Sequence, residues 1–557
     1  MPSIRDRIAR NIIERQLRVP PPVPLKVGIL GVGAAGLYAA MILEGFKEHG
    51  YTYEILEAEP DDGHVGGRLW TYKFSDSPND YYDRGAMRFP KIDFMKPVFD
   101  LFDNLCITDD GLLIPYILSN DEHNILYYNG IRQTVQEVQD SALADPFNIG
   151  LASHADDYVR AALGPFIDAL AEDFESGWQK LMEYDQYSTR AYMNLVLKTA
   201  YTASGIELNY TDEVITTLET LQTGTNLYDC ALSESVMDAL DFDNPSDPSW
   251  YCVQGGSEEI ARRMADRLQR GTILRGKRVT AIAPLIEGTD PSTSINVTVA
   301  GGESYTYDHV ISTMPLSCLG LVDTTQCGLS WPIQMAIRAL HYDASVKVAI
   351  KFSYRWWEQS PFSQLGGSSS SDRPTRVVVY PSYGIGGPDG TMIVSYTWSQ
   401  DALRFGALAH GNGSDAERAL VDVILKDLAD IHGNDLTAAQ LRSWMKEPIS
   451  IFTYADVPIH AGAFALFGPS QFNTLYTELT KPPAGLLHFA GEATNVHHAW
   501  LIGALNSAYR CVEEIFLAED RQDLVDILEE TWGKRDEFRS SLVKEQVERG
   551  RAQFLRQ

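Results

Sequence analysis

Residues 26–68 read KVGILGVGAAGLYAAMILEGFKEHGYTYEILEAEPDDGHVGGR. A short apolar run over 27–30 predicts a strand, which enters Gly31-Val32-Gly33-Ala34-Ala35-Gly36, and residues 37–46 continue with helical periodicity. The glycines therefore lie on a strand-to-helix turn, the context that a dinucleotide-binding fingerprint requires. In such a turn Gly31 permits the tight reversal, Gly33 lets a pyrophosphate approach the backbone, and Gly36 lets helix and strand pack closely. The helix N-terminus turns oriented N–H donors toward the phosphates. Glu57 ends the next apolar run, 53–56, where a carboxylate can accept hydrogen bonds from ribose hydroxyls; Glu59 is the weaker alternative.

A chain of 557 residues has room for two or three domains, each with its own core, and 44% hydrophobic residues is an ordinary globular share. The net charge of −29 repels nucleic acid and anionic membrane surfaces, so neither is expected as a partner, and its plainest consequence is solubility. Six cysteines (Cys106, Cys230, Cys252, Cys318, Cys327 and Cys511) are scattered without CxxC or metal-ligand spacing, so no disulfide framework and no metal site is expected. No run of about 18 apolar residues is present to span a bilayer. Residues 1–22 lack the apolar core of a secretory signal, and a cytoplasmic location is expected. Ile4, Ile8, Ile12 and Leu17 fall near one helical face with five arginines largely elsewhere, which predicts a helical arm. A transit peptide is the alternative, opposed by Asp6 and Glu14. Sequons at Asn209, Asn296 and Asn412 matter only in a secreted chain.

Gly66-Gly67-Arg68 trails the acidic residue, and the pattern LEAxxxxxxxGGR resembles the flavin amine oxidase superfamily. The resemblance implies FAD rather than a nicotinamide cofactor, with Ala34, Ala35, Ala58 and Gly67 among the cofactor contacts and Arg68 near the pyrophosphate. It also implies a mixed α/β fold with a Rossmann-like FAD-binding domain of the glutathione-reductase/amine-oxidase type, discontinuous in sequence. That domain is expected over 25–75, 250–330 and 450–518. Its second segment runs from Val253-Gln254-Gly255-Gly256 through a helix over 258–268 and a strand over 276–282, where Val279 offers backbone hydrogen bonds to adenine, to the run 308–315. The third is a strand, turn and helix beginning at Leu486. Residues 135–249 read as a helical domain. Residues 76–134 and 331–449 read as a strand-rich substrate domain, with strands over 345–352, 376–380 and 391–398, a Gly/Ser-rich loop over 366–371 and a helix over 415–431. A helical arm over 1–24 and a charged helical tail over 519–557 complete the division.

From residue 25 to about 515 the chain looks like a flavin-dependent L-amino acid oxidase. The pieces that carry the resemblance are Gly85-Ala86-Met87-Arg88-Phe89-Pro90, Ser345-Val346-Lys347, the run from Trp357-Glu358 through Gly366-Gly367 to Tyr380-Pro381, Tyr396, Gly491-Glu492 and Ala499-Trp500. A guanidinium can hold a carboxylate by two parallel charge-assisted hydrogen bonds. In the family this falls to the arginine of G-x-M-R with a tyrosine hydroxyl, carried over here to Arg88 and Tyr396. Read alone, Arg88 is equally an ion-pair partner of Asp83, and Tyr396 is plain core. Alternation around Lys347 by itself reads as the solvated side of a strand. The family instead keeps a lysine there that holds a water against the flavin, and a cation in that place can stabilise developing superoxide. The resemblance further implies that Glu492 bonds the ribityl chain and that Trp500 walls the ring, with Gly85, Ala86, Met87 and Gly491 beside it and Leu501, Ile502 and Ala504 opening the last helix. Ala499 departs from the pattern, because many members carry glycine there and a methyl narrows the pocket. Asp238, Asp241, Asp243 and Asp247 cluster before the second segment. They read either as a solvated acidic loop or as recognition of a cationic side chain.

The resemblance implies oxidative deamination. Hydride passes from the α-carbon of an L-amino acid to noncovalent FAD, O2 is the acceptor, and the products are a 2-oxo acid, ammonia and hydrogen peroxide. A homo-oligomer, dimer or higher, is expected. The rivals are a monoamine or polyamine oxidase, an L-amino acid 2-monooxygenase, and a non-catalytic flavoprotein. The presence of Arg88, Lys347 and Tyr396 together weighs against the last.

Overall fold

Five parallel strands form the sheet that the opening stretch begins. The structure is a computed structural model, and it describes residues 24–60, 64–140, 155–242, 249–285, 294–409, 411, 413–535 and 543–549. The arm expected before residue 24 lies outside these residues, as do Asp243, Asp247 and the sequon residue Asn412. Leu25–Leu30 pairs on one side with Tyr51–Leu56 and on the other with His309–Ser312; Ile273–Leu274 and Leu487–Phe489 complete the edges. Partners from so far apart in sequence mean that the chain re-enters this sheet several times. Val27, Ile29, Leu30, Ile55, Val310 and Ile311 are fully shielded, as in a parallel sheet covered on both faces.

Two helices cover the sheet where its strands end. Ala34–Glu44 follows the glycine turn, and Leu501–Ala518 packs against it. Leu501–Ala518 is buried almost all round, and Arg510 and Glu514 are paired inside the protein: Arg510 with Glu514, and Glu514 Oε2 with His488 Nδ1 at 2.7 Å. Beyond it Gln522–Trp532 caps the first helix, with Trp532 edge-on to Tyr38 at 5.2 Å and Arg535 donating to the Tyr38 hydroxyl at 3.0 Å. No described helix is long and apolar enough to cross a membrane.

A seven-stranded sheet forms the second layer system, in the order Met445–Thr453, Ser345–Phe352, Gly390–Trp398, Val377–Val379, Ser368–Ser371, Ile125–Tyr128, Ile131–Thr134. On Ser345–Phe352 the alternation works as expected on one side: Val346, Val348, Ile350 and Phe352 join a core with Leu420, Val421, Ile424 and Leu428 of the Asp415–His432 helix. The other side is not solvated. Lys347 is only 3% exposed there, because residues 83–87 lie across it.

The Gly/Ser-rich stretch expected as a loop is a loop only in its first part, since Ser368–Ser371 is a strand. Its hydroxyls replace the apolar contacts a buried strand normally has. Ser369 Oγ accepts from the Ile125 amide at 2.9 Å and pairs with the Tyr380 hydroxyl at 2.8 Å, and Ser370 Oγ accepts from Tyr128 at 2.9 Å. Buried polar groups satisfied in this way cost little. Between residues 155 and 242 the chain is mainly helical as expected, from Ala155–Glu172 to Leu232–Phe242. A small hairpin, Thr199–Tyr201 with Glu207–Asn209, interrupts it.

Candidate active site

A cavity of about 490 Å³ runs from the glycine turn to the seven-stranded sheet. At the turn the three glycines do three different things. Gly31 has φ +112°, a value that side chains rarely adopt. A Cβ on Gly36 would lie 2.1 Å from the Gly31 carbonyl oxygen, so helix and strand touch there. A Cβ on Gly33 would meet nothing within 4 Å and would instead project into the cavity, the cradle that a pyrophosphate needs. Glu57 is held at the cavity wall by its own backbone neighbours: Oε2 accepts from the Val32 amide and Oε1 from the Glu59 amide, both at 2.9 Å. Glu57 lines the cavity and Glu59 does not. Ala34, Ala35, Ala58 and Val279 line the same end.

The Gly66-Gly67-Arg68 turn is pinned by His64, whose Nδ1 meets Glu258 at 3.0 Å and Nε2 the Gly67 carbonyl at 2.9 Å while its ring stacks on Trp70. Arg68 is no surface cation. Its Nη1 donates to Glu492 Oε1 at 2.7 Å and to the Ala463 carbonyl at 3.0 Å. Glu492 also accepts from the amides of Ala465 and Ala499 at 3.2 Å. Burial works against its charge, but Arg68 and His498 more than offset this and hold the carboxyl below the usual range. Glu492 thus ties the GGR turn to the loop before the last helix. Gly67, Gly491, Leu501 and Ala504 line the cavity; Ile502 does not, because its side chain is fully buried in the core and only its backbone belongs to the first helical turn at the wall.

Gly85 to Arg88 pass beneath the same turn. A Cβ on Gly85 would sit 1.7 Å from the Arg68 carbonyl oxygen, so only glycine permits this approach. Lys347 Nζ reaches down to the same segment, donating to the carbonyls of Asp83 at 3.1 Å and Gly85 at 2.7 Å, with Met87 Sδ at 3.6 Å. Burial pulls its ammonium well below the ordinary lysine range; Asp83 opposes that shift and Arg88 adds to it.

Arg88 makes no ion pair with Asp83, whose carboxylate is taken by Thr71 and Ser257. Instead the Arg88 guanidinium lies 4.7 Å from the ring centroid of Phe242 and forms no ion pair among the described residues. Tyr396 shares the cavity wall with it, and burial, only partly countered by Arg88, keeps the Tyr396 hydroxyl protonated. Trp500 stands 5.6 Å from Phe242 and 6.3 Å from Trp250, closing an aromatic corner.

Phe242, which no motif marks, ends the Leu232–Phe242 helix. The same helix presents Asp238 to the cavity, while Glu234 holds His498 at 2.7 Å and Asp241 is buried with its carboxylate 3.8 Å from His497. Of the acidic cluster, then, Asp238 faces the cavity and Asp241 does not. Tyr454, His460 and Trp398 also line it. They stand far from any glycine fingerprint, and only the folded topology brings them in. No group of three or more metal-ligating side chains occurs among the described residues.

A family model described as flavin containing amine oxidoreductase matches residues 34–516. A protein of Dictyostelium discoideum named putative bifunctional amine oxidase is 41% identical over 95% of this chain, which spans 49% of that protein. L-amino-acid oxidase 4 of Hebeloma cylindrosporum is 36% identical, with 96% of this chain and 89% of that one covered. Among solved structures, a cyclohexylamine oxidase from Brevibacterium oxydans superposes with a TM-score of 0.65 over 90% of this chain and 100% of that one, at 17% identity. That likeness is one of fold.

Proposed function

Because the chain belongs to the family of flavin containing amine oxidoreductases and is an FAD enzyme, we propose that it oxidises L-amino acids, yielding a 2-oxo acid, ammonia and hydrogen peroxide. One observation carries the choice of substrate. The Arg88 guanidinium lines the cavity without a carboxylate partner among the described residues, beside a tyrosine hydroxyl that burial keeps protonated. A cation and a neutral donor together suit a carboxylate, whereas a simple amine has nothing to offer Arg88. The 36% identity to a protein named L-amino-acid oxidase supports the same reading.

FAD, when bound, takes the hydride from the α-carbon and passes its two electrons to O2. Its adenine ribose would lie at Glu57, its pyrophosphate at the Gly31–Gly36 turn and Arg68, and its ring toward Lys347 and Trp500. Everything else falls to side chains. Arg88 and Tyr396 fix the carboxylate and so the direction of the Cα–H bond, which converts encounter into a near-attack geometry. Phe242, Trp250 and Trp500 exclude water from that corner. Lys347 supplies positive charge from the same face of the sheet as Tyr396, where reduced oxygen species develop. The imino acid adds water and releases ammonia without further help from the protein.

A substrate panel on the purified yellow protein tests this, reading peroxide, ammonia and carbon dioxide together. Equal peroxide and ammonia from L-amino acids are expected. Turnover of monoamines or diamines but not of L-amino acids would replace the proposal with an amine oxidase, and carbon dioxide with an amide product would replace it with a monooxygenase.

A further inference from the structure

Two polar groups on the cavity wall are left without partners. Tyr454 Oη and His460 Nε2 are buried, and neither has a hydrogen-bond partner among the described residues. Their side chains are 5% and 3% exposed, both line the cavity that also holds Gly33, Lys347 and Arg88, and their rings lie 5.4 Å apart. Leaving a buried donor unpaired is costly. Two such groups side by side on the wall of a site point to a ligand that pairs with them.

Their surroundings indicate what that ligand is. A Cβ on Gly85 would lie 2.8 Å from Tyr454 Oη, and Gly85 is the residue whose carbonyl Lys347 holds, so Tyr454 belongs to the Lys347 end of the cavity. Burial, the Arg68 charge and then His64 push the His460 imidazole down to about 3, so it is neutral at any working pH. Burial likewise keeps the Tyr454 hydroxyl protonated. A neutral phenol and a neutral imidazole each donate and accept. They complement a flat ring that alternates carbonyl oxygens with ring nitrogens, whereas a lone carboxylate or an ammonium would call for charge.

We infer that Tyr454 Oη and His460 Nε2 are hydrogen-bonding groups for the ring system of bound FAD, set on the wall between Arg68 and Lys347, and that they favour its reduced form. The physical reason is that the ring gains electron density on reduction, so a fixed donor binds the reduced state more tightly than the oxidised one. Both are positioning residues, since neither needs to exchange a proton with substrate.

The test uses holoenzyme carrying Tyr454→Phe or His460→Leu, read by equilibrium against a redox dye and by the visible bands of the flavin. Each variant is expected to shift the dye equilibrium about fivefold toward oxidised flavin, the worth of one neutral hydrogen bond, and to move the visible bands. His460→Gln, which restores a donor, should recover much of the shift. Tyr454→Phe keeps the ring contacts with Phe452 and His460 and so tests the hydroxyl alone. Wild-type bands and a wild-type dye equilibrium in both single variants would overturn the inference, whatever happens to turnover.

Discussion

Lys347 and Tyr396 stand directly opposite each other on adjacent antiparallel strands, with the Lys347 ammonium 4.8 Å from the centroid of the Tyr396 ring. The pairing puts both side chains on the cavity side of the sheet at once. A slip of one residue in either strand would turn that strand's residue into the apolar layer against the Asp415–His432 helix, so register and site stand or fall together. It also places a cation against the ring of a phenol that feels the charge of Arg88.

Lys347→Met should slow the reaction of reduced enzyme with O2 by about 100-fold, the usual size of one lost electrostatic donor, while amino acid binding changes little. Lysine and methionine are similar in length, and Met87 already offers a thioether neighbour. Stopped-flow separation of the two half-reactions checks it. A wild-type reoxidation rate with only KM raised would remove Lys347 from the oxygen step.

The same residue predicts a pH dependence with a definite sign. Because burial lowers the Lys347 pKa, its charge is present below that lowered value and is lost as pH rises through it. Reoxidation should therefore be fastest at the acid end and decline with rising pH, starting well below the ordinary lysine range. In Lys347→Met this limb should vanish. If it persists there, another group carries it.

Replacing Arg88 with alanine should cost about 2 to 5 kcal/mol of interaction with the substrate carboxylate, or about 30- to 4,000-fold in kcat/KM. FAD should stay bound. Lysine should restore only part, because it is a point charge without the fork. An alanine variant with unchanged kcat/KM toward L-amino acids would exclude the clamp and favour an amine substrate.

How much of this was legible in the sequence depends on how local each feature is. Gly31, Gly33, Gly36 and Glu57 could be read directly, since turn, helix and acidic strand end are contiguous and each glycine has its own steric reason. Lys347 could not be read from its strand, where alternation signals water. What covers it is residues 83–87, some 260 positions away, so burial is a property of topology. Phe242, Tyr454 and His460 carry no local signal for the same reason. The serines of 368–371 misled in the other direction: composition reads as loop, but hydroxyl partners from residues 125, 128 and 380 make a buried strand of them.

The last two glycines of the turn, Gly33 and Gly36, should fail in different ways when each gains a methyl group. Gly33→Ala adds a Cβ with no protein atom within 4 Å, on backbone at φ −70°, so the fold should keep its melting temperature while FAD affinity falls at least tenfold. Gly36→Ala forces a Cβ to 2.1 Å from the Gly31 carbonyl and should lower stability by about 1 to 3 kcal/mol with or without FAD. Apo melting curves and flavin-to-protein ratios distinguish them. Equal destabilisation by both would mean that Gly33 serves packing rather than the cofactor.

Ala499 is held at φ +63°, a left-handed conformation that costs a residue with a Cβ about 1 to 2 kcal/mol. It is held there because its amide must reach Glu492 while the next residue begins the cavity-facing turn into Leu501–Ala518. Ala499→Gly relieves that cost. Against it stands the greater freedom of glycine in the unfolded chain, about 0.5 to 1 kcal/mol, so the variant should melt at or slightly above the wild-type temperature. At the same time the loss of a methyl beside Trp500 widens the aromatic corner, and kcat/KM should rise for L-amino acids with bulky side chains relative to small ones. Calorimetry and a side-chain series measured on one preparation check both parts. A melting temperature lowered by the equivalent of about 1 kcal/mol, as at an unstrained alanine, would show that position 499 stores no strain, and an unchanged side-chain profile would show that its methyl does not bound the substrate.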